Sequence, residues 1–328
     1  MTNPDTDIKE TERNRAASPE RNDVDVETAS DLVARVVENV ETVLVGNHEE
    51  IEHVTTALLG RGHVLLEDVP GVGKTMLARA VARSFDGTFK RVQFTPDLLP
   101  SDVTGVNVFN QKTQEFEFRP GPVFANVVLG DEINRAPPKT QSALLEAMEE
   151  QQATVDGETH KIPDPFTVIA TQNTVESDRA YDLPMAEVDR FMKKVTLGYP
   201  DTHEEVNMLE RTVGDHPIEE LTPTATLEEF GQARRTAANA TVARDIRTYA
   251  TDIANYTREN ADLGVSPRGT ISLLRAAQGR AILNGREYVV PDDVQVEAVP
   301  VLAHRIRTGR SEDGVSVVTD ALASVEIE

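Results

Sequence analysis

The stretch HVLLEDVPGVGKTMLARA, His63 to Ala80, decides the fold. An apolar run leads into Gly71, Gly73, Lys74 and Thr75, and a helical pattern follows at once. Strand, glycine loop, lysine, hydroxyl and helix in that order are what a phosphate-cradling loop requires. Glycines let successive N–H groups curl toward anionic oxygens, and the following helix presents its positive end to them. Lys74 would reach the β- and γ-phosphates, and Thr75 would offer its hydroxyl to Mg²⁺. Asp68 stands where the full pattern has its first glycine. At the base of the loop it is expected to face away from the phosphates, and aspartate tolerates left-handed backbone better than most residues. A glycine-rich turn with no ligand is the competing reading, and the agreement of strand, loop, lysine, threonine and helix weighs against it.

From this stretch onward, β-rich runs alternate with helical stretches between His63 and Tyr199: HVLLED, FKRVQFT, NVVLGDE, FTVIATQN and KKVTLGY, with TMLARAVARSF and KTQSALLEAMEEQQ between them. Nearly continuous apolar runs belong to strands buried on both faces of a mainly parallel sheet, so this is an α/β domain. VNVFNQKTQEFEFRPG and ATVDGETHKI read as inserted hairpins, the second with an Asp156-Gly157 turn. Before the sheet, DLVARVVENVETVLVG carries Leu32, Val33, Val36, Val37 and Val40 at helical spacing. After Pro200 helical patterns dominate. The expected organisation is a disordered acidic tail over 1–28, a nucleotide-binding α/β domain over 29–200 and a smaller all-α lid over 201–328.

Thirty-three basic residues, eight of them lysines, against 56 acidic ones leave a net charge of −23. Such a surface repels a phosphate backbone, so direct nucleic-acid binding is not expected. The mixture is similar to that of proteins from salt-loving microbes; an ordinary acidic protein is the alternative. No cysteine is present, which excludes disulfides, thiolate metal sites and a cysteine nucleophile. No apolar run is long enough to span a bilayer and the start of the chain lacks a secretory pattern, so a cytoplasmic setting is expected.

The second chemical word is VVLGDEINRAPPKT. A strand ending in Asp131-Glu132 puts two carboxylates at the sheet's carboxyl edge, beside the phosphate loop. Asp131 would hold the Mg²⁺ shell, and Glu132 would polarise the attacking water as general base.

With these two words and QFTPDLLPSDVTG, GDEINRAPPKTQSALLEAMEE, VIATQN and AEVDRF, the chain resembles the MoxR family of AAA+ ATPases over about residues 35–310. The resemblance implies a P-loop NTPase sheet with hairpin insertions, ATP and Mg²⁺ as ligands, and nucleotide contacts from Val45, Gly46, Pro70, Gly71, Val72, Gly73, Lys74, Thr75 and Met76. It implies that Asn173 is the sensor that hydrogen-bonds γ-phosphate or catalytic water, that Arg190 is an arginine finger acting in a neighbouring subunit, and that Arg268 is a second sensor. Ser266 reads as an N-cap and Pro267 as the first helical residue, so Arg268 opposes the helix dipole and needs an anionic partner, either a γ-phosphate or a surface carboxylate. Arg135 would contact a neighbour or shape its own loop; both readings stand. Thr174 and SDRAYDLP depart from the family wording, which bears on loop geometry rather than chemistry.

The resemblance further implies a homo-hexamer that remodels or matures a protein client, von Willebrand factor A domain proteins being one kind. Phe109, Phe116 and Phe118 of the first hairpin would grip a substrate or pack internally. The alternatives are a nucleic-acid motor of the related helicase type, a nucleotide-gated switch with little turnover, and an ATPase subunit like that of magnesium chelatase.

Overall fold

The computed structural model describes residues 23–173, 181, 183–212, 217–309 and 313–327. The expected tail through residue 22, Thr174 and most of SDRAYDLP lie outside the described residues. Helix α1 (Val26–Glu41) begins inside the span expected to be tail, because the Asp25 carboxylate caps it by accepting from Thr28 N at 2.9 Å. Its Ala29, Leu32, Val33, Val36, Val37 and Val40 are buried along one face. At about 1.5–3 kcal/mol per fully buried Val or Leu, that face offsets the entropy of ordering the helix. Helix α2 (His48–Leu59) follows after a left-handed turn at Gly46 and Asn47.

The sheet then begins with β1 (Val64–Asp68), and α3 (Lys74–Ser84) starts directly behind the glycine loop. Next come β2 (Phe89–Gln93), the short α4 (Pro100–Thr104) and the first hairpin, β3 (Gly105–Asn110) with β4 (Glu115–Pro120). β5 (Val127–Asp131) returns to the sheet, and α5 (Pro138–Glu150) runs back across it. The second hairpin, β6 (Gln152–Val155) with β7 (Glu158–Lys161), turns through positive φ at Asp156 and Gly157, the geometry that an Asp-Gly pair supplies. β8 (Thr167–Asn173), the single turn α6 (Met185–Val188) and β9 (Lys193–Val195) complete the domain.

The five strands are all parallel in the order β2-β5-β8-β1-β9. β5 and β8 are buried almost throughout, as strands sandwiched between helices must be. Register fixes the carboxyl edge: Gln93 lies level with Asp131, and Asp68 with Asn173. The chemistry-bearing ends therefore share one rim.

The hairpins support each other. Phe118 stacks on His160 at 3.8 Å, and Asn107 donates to Asp156 at 3.1 Å. Phe109 and Phe116 pair across the first hairpin edge to face at 5.3 Å and stay exposed, Phe116 by 72%. Internal packing thus claims Phe118 and leaves the other two outside.

Beyond β9 the described chain is helical: α7 (Thr202–Thr212), α8 (Pro217–Glu220), α9 (Leu227–Asn239), α10 (Arg244–Asn260), α11 (Pro267–Leu283), α12 (Pro291–Leu302) and α13 (Gly314–Ser324). A capping box between Thr226 and Glu229 starts α9. One apolar cluster runs from α1, α2 and α3 into α9–α13, so the first two helices bind the helical part to the sheet; a second fills the space between the sheet and α5. A buried charge tie adds to that join, with Lys193 of β9 paired to Glu297 of α12, and Arg280 of α11 donating to the same carboxylate at 2.9 Å.

Candidate active site

The phosphate loop meets the strand ends in a cleft of about 270 Å³ lined by Pro70, Gly71, Gly73, Lys74, Thr75, Met76, Arg91, Gln93, Asp131, Glu132 and Asn173. Gly71 and Gly73 hold φ of 90° and 96°, a region that L side chains avoid. A Cβ built on Gly71 meets nothing within 4 Å, so open space lies in front of the loop. Val72 instead packs toward the core, and Leu44 lies over Gly73, which brings the Val45-Gly46 turn beside the loop without lining the cleft. A larger hollow of about 440 Å³, between Leu59, Met148, Ala237 and Gln278, has no glycine loop, so size alone does not mark the phosphate site.

Asp68 faces away from the cleft. Its carboxylate accepts from Leu197 N at 2.7 Å and Gly198 N at 2.8 Å, and from Val69 N at 2.7 Å. It anchors the base of the loop to the segment after β9, a task that glycine has no side chain to perform. It uses no positive φ, so its tolerance of left-handed backbone plays no part.

Lys74 is buried and donates to Asp68 O at 3.0 Å, Val69 O at 3.2 Å and Asn173 Oδ1 at 3.1 Å. Burial pulls its pKa down, against the pull of Asp68, Asp131 and Glu132. The Asn173 amide has one consistent orientation, with its oxygen on Lys74 and its Nδ2 donating to Glu132 Oε1 at 2.7 Å.

Glu132 holds φ of 56°, a left-handed conformation of the kind found at functional turns. The other carboxylate oxygen accepts from Gln93 at 2.8 Å and Arg135 at 2.7 Å. One hydroxyl serves both acids: Thr171 Oγ1 accepts from Glu132 N at 2.9 Å and donates to Asp131 Oδ1 at 2.6 Å. Arg91 Nε donates to Asp131 Oδ2 at 3.1 Å. The donor set available for a metal here is a carboxylate and a hydroxyl, which suits Mg²⁺, an ion that takes few protein oxygens and completes its shell with phosphate and water. Asp131 and Thr75 would hold it.

Arg190 and Arg268 stand elsewhere. Arg268 donates to Glu149 at the end of α5, and Arg190 Nε lies 3.3 Å from the other oxygen of the same carboxylate. Gly62 and His63, which precede β1, and Met192, which precedes β9, line the same recess, along with Arg61 and Arg275. This is the amino edge of the sheet. β1 is five residues long, so at about 3.3 Å per residue the two edges are roughly 15 Å apart. Ser266 caps α11 by accepting from Gly269 N at 3.2 Å, and Arg268 in the first turn meets its anion in Glu149, the surface-carboxylate alternative, rather than at its own phosphate loop.

Sequence reading passes over Arg91, Gln93 and Thr171. Arg91 and Gln93 carry a weak signal, an i, i+2 pair of polar residues on a strand, but only the pairing of β2 with β5 aims them at the acids.

Two family profiles match the chain: the AAA ATPase family associated with various cellular activities over residues 63–193, and the AAA lid domain over 253–322. The uncharacterized protein YeaC of Bacillus subtilis is 52% identical over 277 residues, 84% of this chain and 87% of its own length. The chaperone MoxR1 of Mycobacterium tuberculosis is 40% identical over 83% of this chain and 74% of its own length. A crystal structure of an ATPase candidate from Cytophaga hutchinsonii superposes with a TM-score of 0.86 at 34% identity, covering 92% of this chain and 97% of its own.

Proposed function

Because the chain belongs to the MoxR family of AAA+ ATPases, we propose that it binds ATP at the carboxyl edge of its sheet and hydrolyses it with arginines delivered by a neighbouring copy. The observation that carries this reading is the bonded set of Lys74, Asp131, Glu132 and Asn173 around an open glycine loop. Amides of Gly71 to Thr75 and the Lys74 ammonium take the phosphates. Mg²⁺, when bound, offsets phosphate charge. Glu132 accepts a proton from the attacking water, and Asn173, which already bridges Lys74 and Glu132, orients that water toward the γ-phosphorus. Arg190 and Arg268 offset the charge on the transferring phosphoryl group of the next subunit. One chain holds the loop and the arginines at opposite edges, so a ring, a homo-hexamer by family, completes each site. Replacing Glu132 with Gln is expected to cut turnover by about 10²–10⁴-fold while leaving ATP retention intact. Turnover at the unmodified rate would show that the role is misassigned.

The client is a protein, in keeping with the chaperone name of MoxR1, and von Willebrand factor A domain proteins are the first class to test. The exposed Phe109 and Phe116 at the first hairpin are the side chains offered for gripping it. The net charge of −23 argues against a nucleic-acid motor. A nucleotide-gated switch is the second reading, favoured by the bonding of Glu132 to Gln93, Arg135 and Asn173, which must loosen before it can act as a base. Phosphate release distinguishes the two.

A further inference from the structure

The segment that carries Arg190 is gripped by one side chain from the helical part. Arg305 follows α12, and its side chain is 1% exposed. Its Nε donates to Asp189 Oδ1 at 2.8 Å. One terminal nitrogen donates to Asp189 O at 3.0 Å and Phe191 O at 2.7 Å; the other donates to Met192 O at 3.1 Å and to Val301 O. A guanidinium has five N–H donors, and these contacts use them all. Three of the acceptors are backbone carbonyls flanking Arg190, so its backbone is fixed from both sides.

The same node reaches Arg268. Ser266, which caps α11, donates its hydroxyl to Asp189 Oδ2 at 3.1 Å. Arg305 also passes under the first turn of α11: a Cβ on Gly269 would come within 2.9 Å of its Cδ, so glycine leaves the channel the side chain needs. Asp189 thus joins three parts: Arg305, the strand-leading segment of Arg190 and the cap of the helix bearing Arg268.

We propose that Arg305 is a positioning residue for hydrolysis, which through Asp189 locks Arg190 and Arg268 into one two-armed unit offered to the neighbouring subunit. The proposal rests on the reading that both arginines act in trans. It assigns Arg305 no contact with nucleotide. It makes the lid and the arginine finger move as one body, so a displacement of the lid is felt at the next subunit's phosphates.

The test is complementation between Arg305→Gln, whose phosphate loop is intact, and Lys74→Ala, whose arginines are intact. Arg305→Gln alone is expected to retain ATP like the unmodified protein, with kcat down at least tenfold and little change in KM. Mixed one to one, the two variants should regain roughly a quarter of full turnover, because one interface in four of a random ring joins the good loop to the good arginines. Arg190→Ala mixed with Lys74→Ala tests the underlying reading. If that pair regains activity and a folded Arg305→Gln does not, the positioning role is wrong. If neither pair regains it, trans delivery fails and the proposal falls with it. Full turnover by Arg305→Gln alone also overturns it. Should Arg305→Gln lose its fold by circular dichroism, Asp189→Asn carries the same expectation and decides the matter.

Discussion

At the carboxyl edge of the sheet, Lys74, Asp131, Glu132 and Asn173 satisfy one another through Thr171 and the loop carbonyls, and an open cleft stands before them. At the amino edge, two partly exposed arginines share one carboxylate, Glu149. In the first region Asp131 and Glu132 are already paired with Arg91, Arg135 and the Asn173 amide; in the second the carboxylate shared by the two arginines is a partly exposed, solvent-screened partner. β1, β5 and β8 are buried between the two edges, and it is this separation of loop and arginines that motivates the proposal of a second copy completing each site.

Removing Arg190 carries the largest expected effect. Arg190→Ala is expected to lower kcat by about 10³-fold or more, since an arginine finger contributes on that scale, while each chain retains ATP as before. A matching loss of ATP binding would mean that the two edges are not separate.

Acid should separate the edges next. His63 lies buried at the amino edge, its Nδ1 accepting from Val168 N at 2.9 Å and its Nε2 lying 3.2 Å from Met148 O. That pairing demands the neutral ring, and burial pushes its pKa down to about 4. His304, facing Phe191 O, is lowered in the same direction by its burial. With the folded value below the unfolded one, the unfolded chain binds more protons between about pH 6.5 and 4. Stability is therefore lost as pH falls through that window, by about 3 kcal/mol for His63 alone. Urea midpoints at pH 7 and pH 4.5 measure it, and His63→Gln should shrink the difference, leaving the part due to His304. An unchanged slope would place the ring outside the core.

The smallest effect is the mirror of the first. Lys74→Ala removes charge-assisted contacts to phosphate and is expected to weaken ATP retention by roughly 10–100-fold in equilibrium dialysis. It should leave the arginines able to serve a neighbour.

Much of this was legible in the residues. The glycine loop, the Asp131-Glu132 strand end, the five strand runs, both hairpins and the Ser266 cap are written in consecutive residues, where local geometry dictates them. The start of α1 is not legible, because its cap is a single aspartate, Asp25, in a charged run. Gln93, Arg91 and Thr171 were not legible, because their aim depends on which strands become neighbours. Arg305 was hidden for the same reason: it meets Asp189 across 116 residues of chain. Arg268 in the first turn of α11 requires an anion, and the fold supplies Glu149 from α5, a partner that spacing does not name.

Specific ATP turnover measured against protein concentration, with light scattering on the same samples, tests the split site most directly. Turnover per chain is expected to rise as monomers associate and to level off when rings are complete. A turnover per chain that stays constant down to concentrations at which scattering reports only monomers would contradict it.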